Sequence, residues 1–218
     1  AVGMTPAVER FLADGRLDFF EDRNGNRATL HWNGANPDRI DFANGEFTQL
    51  LYEAHGRLRR VVEPGGRVHD FTYDASGEHL LSVTGPAGTT QFTYVTGQGP
   101  AREHALASAT YPDGSHLFQE YDDRGRLLRN FRDGNLESVT FEYDSAASTT
   151  VVDDQGNRSR ILQDQFGRPA QLIDPLGNVT HYHYDQNNFL VGLRNVDGLT
   201  SFERDTRGHI VATTNPLG

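Results

Sequence analysis

The 218 residues carry 20 Lys and Arg against 30 Asp and Glu, a formal charge of −10 that sets the chain against duplex nucleic acid and anionic membrane surfaces. The absence of cysteine excludes disulfides, thiolate nucleophiles and cysteine-ligated zinc. Hydrophobic residues at 36% allow a buried core, while 23 glycines with a single Met and a single Trp favour turn-rich β structure over helix.

Residues 1–10, which include Pro6, precede any repeat and read as a lead-in segment, either a short strand or a helical turn. From Phe11 onward an aromatic recurs about every 21 residues, at Phe11, Trp32, Tyr52, Tyr73, Tyr94, Tyr121, Tyr143 and Tyr184, with Gln163 and Arg204 holding the same place. Asp follows that place at Asp74, Asp122, Asp144, Asp164, Asp185 and Asp205. Four residues after the aromatic stands Gly15, Gly56, Gly77, Gly125, Gly167 or Gly208, with Asn36 and Asn188 as substitutes. Gly and Asn tolerate positive φ, so each such place calls for a tight turn. A second glycine, such as Gly25, Gly45, Gly156 or Gly177, marks a second turn half a period later. Each unit therefore holds two turns and two strands, and about ten units give about twenty strands.

The first unit alternates turns at Asp14-Gly15 and Asn24-Gly25 with β-prone runs, the strongest short-range hairpin signal. The second, with Asn36-Pro37 at its first turn and Asn44-Gly45 at its second, is the least regular. Pro64 and Pro86 assign the middle of the next two units to loop, because proline cannot sit in a central strand. Between Tyr94 and Tyr121 the surplus of about six residues near Thr96 to Ser108, with Gly97, Gly99 and Pro100, reads as an extended surface loop. Later units keep short turns, and the last stops half-way through at Gly218, the expectation for a segment of a longer chain. In Val139–Tyr143 and Thr180–Tyr184 aromatics alternate with polar residues, the signature of strands with one packed and one wet face. Fold class is accordingly all-β: a lead-in at 1–10, then tandem antiparallel hairpins over 11–218 in one long, strongly twisted or spiralling sheet.

A group repeated in every unit is better explained by the turn than by catalysis. Asp accepts backbone N–H bonds across the turn, and Tyr packs its ring between strands while its hydroxyl reaches a polar partner. His181 and His183 point the same way on a strand and form a weak candidate metal pair that lacks a third ligand. The acidic doublets Asp122-Asp123 and Asp153-Asp154 read as solvated turns, since no calcium-binding loop surrounds them. Gly97-Gln98-Gly99 lacks the strand-then-helix context of a phosphate loop. No cofactor and no enzymatic activity are expected.

The segments Tyr52–Leu58 and Tyr121–Leu127 (Tyr-Asp-Asp-Arg-Gly-Arg-Leu), the turn Asp22–Arg27 and the run Asp174–Thr180 (Asp-Pro-Leu-Gly-Asn-Val-Thr) resemble the Rhs/YD-repeat family. The resemblance covers nearly the whole chain from Phe11. It implies a hairpin sheet wound into a hollow shell, as in bacterial polymorphic toxins, insecticidal toxin complexes and teneurin-like adhesion receptors. By this resemblance the chain is a non-catalytic shell segment of an exported bacterial protein, secreted or at the cell surface. Its partners are then toxin cargo or the remaining repeats of the parent chain. The alternative is an adhesion module that presents turn Tyr, Asn and Asp to a carbohydrate or surface receptor. Neither nucleic-acid binding nor membrane insertion is expected, whereas bare strand edges predict edge-to-edge self-association unless the ends of the chain cover them.

Overall fold

The computed structural model describes residues 8–144, 147–205 and 207–217. The lead-in reading of residues 1–7 therefore lies outside the described residues, while residues 8–10 are strand. Two compact units are resolved. One takes the described residues up to Thr96 together with His104–His116, and the other takes Gly97–Glu103 with the described residues from Leu117 on.

The first unit contains β1 (Val8–Phe11), β2 (Leu17–Glu21), β3 (Arg27–Asn33), β4 (Asn36–Phe42), β5 (Phe47–Tyr52), β6 (Leu58–Val62), β7 (Val68–Tyr73), β8 (Leu80–Gly85), β9 (Gly88–Tyr94) and β10 (Leu106–Thr110). Each pairs antiparallel with the next in sequence. The second unit is a meander of the same kind: β11 (His116–Tyr121), β12 (Leu127–Arg132), β13 (Val139–Asp144), β14 (Ser148–Val152), β15 (Arg158–Gln163), β16 (Pro169–Ile173), β17 (Val179–Tyr184), β18 (Leu190–Asn195), β19 (Gly198–Arg204) and β20 (Ile210–Thr214). Helix is confined, among the described residues, to two single 3₁₀ turns at Pro64–Gly66 and Asp133–Asn135. The all-β, tandem-hairpin expectation is met, and the ten-unit arithmetic yields its twenty strands.

The pairing register carries a regularity that the letters of the repeat do not show. Partners slip by one residue just before the aromatic place, between His31 and Trp32, Leu51 and Tyr52, Thr72 and Tyr73, Glu120 and Tyr121, and His183 and Tyr184. The same slip precedes Gln163 and Arg204, where the aromatic is missing. Each slip is a β-bulge, which bends the strand and increases local twist. The mid-unit turns, such as the one joining Glu21 to Arg27, close without one. Bending is thus delivered at one end of alternate hairpins, except β13–β14, where Tyr143 pairs with Thr149 in unbroken register; a bulge re-aims a side chain as it terminates pairing.

Composition suggests a buried core, and here the structure differs. The side chains buried among the described residues are those of Ala28, Ala109, Ser148 and Thr150, all small. With so few side chains buried, the strand faces of each unit stay partly wet, and aromatic residues such as Tyr52, Tyr73 and Tyr94 are half-buried by their lateral neighbours. Cohesion must come from those lateral contacts and from strand pairing rather than from an interior.

Two boundaries shift. The long excursion runs from Val95 to Ala105, and Ser108 belongs to β10, where its hydroxyl bonds that of Thr93 at 2.7 Å. Asn36 opens β4 instead of occupying a left-handed turn position; the turn is the two residues Gly34-Ala35, with Gly34 at φ +62°. Hairpins that short need positive φ at the first central residue, which glycine supplies.

Candidate functional site

Both turns of a unit share one chemistry. In the turns that begin at Asp22, Asp122, Asp153, Asp164 and Asp174, the fourth residue is a glycine whose N–H bonds the Asp carbonyl at 3.0–3.1 Å. The Asp carboxylate accepts the backbone N–H groups two and four residues on: Arg124 and Arg126 at 2.9 Å for Asp122, Leu176 and Asn178 at 2.9 and 2.8 Å for Asp174. Its second oxygen takes a side-chain donor from the fifth residue, Arg126 at 2.7 Å in one kind of turn and Asn178 at 2.8 Å in the other. These bonds favour the ionised carboxyl. Donation from Asn26, Asn157 and Asn178 holds Asp22, Asp153 and Asp174 below the usual carboxylate range, and the Arg126 and His209 backbone amides do the same for Asp122 and Asp205. Asp144 departs from the pattern, taking the Ser148 hydroxyl at 2.6 Å next to Ala147, which holds φ +54° in the glycine place.

The aromatic place is just as consistent. The hydroxyls of Tyr52, Tyr73, Tyr94, Tyr143 and Tyr184 donate to the carbonyls of Pro37, Leu58, Leu80, Leu127 and Pro169 at 2.8–3.0 Å. Each acceptor stands at or next to the first residue of the adjacent strand. Trp32 makes the same bond to Leu17 through its indole N–H at 2.9 Å, and Arg204 makes it to Leu190 through Nε at 3.1 Å. Tyr121 differs, donating to the Gln119 side chain at 2.8 Å.

Over these rings lie cations from the preceding turn. The residue after the turn glycine is Arg16, Arg57, Arg126 or Arg168, and its guanidinium carbon stands 5.2, 5.3, 4.1 and 4.2 Å from the ring centres of Trp32, Tyr73, Tyr143 and Tyr184. Three of the four reach on into the following turn, bonding the Gly34 carbonyl (2.6 Å), the Ser76 carbonyl (3.5 Å) and the Asn188 side chain (2.7 Å). Asp–Arg pair, cation over ring, and ring hydroxyl to backbone together form one rung, and the rung repeats along each unit. At the last rung the two sides trade places: Phe189 stands where the arginine belongs, Arg204 where the aromatic belongs, and guanidinium and ring still meet at 5.5 Å.

This ladder is a property of a repeat, and comparison with known families names the repeat. A teneurin YD-shell family model matches residues 10–164, and an RHS repeat model matches residues 164–200. The chain belongs to the teneurin YD-shell family. A double-stranded DNA deaminase toxin A from Burkholderia cenocepacia (strain H111) is 30% identical over 224 residues, covering 93% of this chain and 15% of the toxin. The crystal structure of TcdB2-TccC3 without its hypervariable C-terminal region shares the fold, with a TM-score of 0.52 at 14% identity over 95% of this chain and 14% of that one. The YD-shell segment thus spans about one seventh of the relatives it matches.

Other polar groups of this YD-shell chain fall into separate places. In the rung of Tyr94 the cation is replaced by His79, whose ring lies 4.4 Å from that of Tyr94 and whose Nδ1 meets Asp74 at 2.7 Å. This bond draws the Asp74 carboxyl far below its ordinary range. His104, with φ +70° at the end of the excursion, stacks on His79 with ring nitrogens 2.8 Å apart. Sequence reading had no signal for this pair, whose members are separated by a loop of irregular length. His181 and His183 do share a face of β17, the first opposite Arg194 and the second opposite Gly192. A cation is thus the cross-strand neighbour of His181, and no group of three metal-ligating side chains is gathered among the described residues. The signature residues Tyr52, Gly56, Tyr73, Gly77, Tyr121, Gly125, Tyr143, Gly167, Tyr184 and Gly208 are spread over successive turns and do not converge on one cleft.

Proposed function

We propose that this segment is a non-catalytic length of wall in a larger exported bacterial Rhs/YD protein, whose β-shell encloses a toxic C-terminal cargo. What carries the reading is the ladder itself: the chemically distinctive side chains are consumed by bonds that repeat from rung to rung, which serves a wall and builds no reactive centre. The names of the relatives support it, since one is a toxin and another lacks a hypervariable C-terminal region. The remaining repeats of the parent chain and the enclosed cargo are its partners in this reading, and secretion or the cell surface its location. Repeats 11–218 act as one wall element whatever units they fold into.

Electron microscopy of the full-length parent tests this. The expected result is a closed density around a cavity that holds the C-terminal segment, with this stretch in its wall. A parent whose C-terminal segment is exposed and digested by protease as fast as the isolated segment would overturn the proposal.

A further inference from the structure

Tyr52 differs from its neighbours in the ladder. Trp32, Tyr73 and Tyr94 are covered by Arg16, Arg57 and His79, but among the described residues neither a cation nor a second ring lies over Tyr52. The cause is the preceding turn. Five residues separate the paired residues Tyr52 and Leu58, whereas four separate Trp32 and Pro37. The deletion leaves Asn36 where Arg16 and Arg57 stand in their turns, and the Asn36 amide reaches only the neighbourhood of Gly56, 3.4 Å from where a Cβ would be. In the next turn the corresponding space beside Gly77 is filled by the Arg57 guanidinium.

Beside the shortfall lies a notch of about 310 Å3, lined by Asn33, Asn36, Asp38, Gln49 and Tyr52 together with Leu50 and Leu51. That is the size of a small ligand cavity, roughly 300 Å3 and upward. Its polar lining is uncommitted: the side chains of Asn33, Asn36, Asp38 and Gln49 make no hydrogen bond or ion pair among the described residues. The notch also has a sign. Asp38 faces Tyr52 closely enough that, after burial, its negative charge is what pushes the phenol upward. A ring and a carboxylate flank each intramolecular arginine, joined by an amide oxygen at Arg16, Arg57 and Arg168; here the same kinds of group are present and the arginine is missing.

We propose that the notch over Tyr52 is a binding site for an arginine side chain of a second polypeptide. The incoming guanidinium stacks on the Tyr52 ring, pairs with Asp38 and donates to the side-chain oxygens of Asn33 and Asn36, completing the rung in trans. Arginine is the fitting residue because its planar, weakly hydrated fork can stack and donate at once, which a lysine ammonium cannot do. The chain's charge of −10 favours the encounter. The inference needs only the ladder geometry and stands or falls apart from the encapsulation reading.

The test is an NMR titration of the 218-residue chain with three blocked tripeptides, Gly-Arg-Gly, Gly-Lys-Gly and Gly-citrulline-Gly, and with a neutral disaccharide. Tyr52 ring and Asn33 and Asn36 amide signals should shift with the arginine peptide, with affinity at least five-fold above lysine and ten-fold above citrulline. Asp38→Asn should remove most of the shift, and Asn36→Arg, which fills the place from within, should remove it while raising the thermal midpoint. No shift at Tyr52, equal response to arginine and citrulline, persistence in both variants, or a response to the disaccharide instead would each overturn the proposal.

Discussion

The rungs of Tyr143 and Tyr94 hold equivalent places in two units and are built from different residues. In the first, Arg126 lies 4.1 Å from the ring centre and is held by Asp122; in the second, the His79 ring lies at 4.4 Å and is held by Asp74. Both hydroxyls end on the first carbonyl of the adjacent strand, Leu127 at 2.8 Å and Leu80 at 2.9 Å. The bond patterns match although a permanent cation has been exchanged for an imidazole. Place in the rung is therefore set by the backbone, by turn and register, and the side chain has only to be flat and to reach. The His79 rung then uses its freedom to take a further partner, His104, brought by the excursion after β9.

The largest test of that distinction between backbone and side chain concerns the turn glycines. Gly125 and Gly177 have φ of +76° and +86°, but a Cβ on Gly125 would stand 2.0 Å from the Ala101 carbonyl oxygen, whereas one on Gly177 meets nothing within 4 Å. Alanine at either place bears the left-handed penalty of about 1–2 kcal/mol. Gly125→Ala must also displace the loop at residues 97–103, so its denaturant midpoint should fall well beyond that of Gly177→Ala. Equal midpoints would show that the loop does not rest on this turn.

Next in size is the hydroxyl. Tyr143→Phe keeps the ring under Arg126 and removes the bond to Leu127, with an expected loss of about 0.5–1.5 kcal/mol in chemical denaturation. A loss of the same size in Tyr94→Phe would bear out the equivalence of the two rungs, and a difference above about 1 kcal/mol would break it.

Acid gives the smallest effect per site. Carboxylates at Asp22, Asp122, Asp153, Asp174 and Asp205 sit below their ordinary range when folded, so each contributes stability above about pH 4 that is lost as pH falls through the folded value. Thermal midpoints should be level from neutral to about pH 5 and decline below about pH 4. Asp174→Asn should flatten that decline slightly, whereas an unchanged acid slope would mean that the turn bonds do not discriminate charge.

How much of this was legible in the sequence varied with its physical origin. Turn chemistry is local, so the period of glycines and aspartates foretold the strand count and the hairpin order, and both glycines of a unit were visible as turns. Register is not local. The bulge, which Tyr143 lacks, exists only once two strands pair, and it persists at Gln163 and Arg204, where the aromatic is missing. Arg204 is instead a working member, bonding Leu190 in the manner of the tyrosines. The role of Arg126 was invisible for the same reason, since its ring partner, Tyr143, belongs to the next repeat. Composition misled about the core, because 36% hydrophobic residues can be spent half-buried along a sheet as readily as inside a globule.

The central claim is that a rung is defined by its two places and not by which residue fills which. The reciprocal exchange at Phe189 and Arg204 is nature's version, and the direct measurement is its transplant: Arg126→Tyr, Tyr143→Arg and the two combined, compared in a double-mutant cycle by denaturant unfolding. Each single variant should lose stability, and the double variant should recover it, with a favourable coupling of about 0.5–1 kcal/mol. A double variant whose loss equals the sum of the singles would contradict the claim.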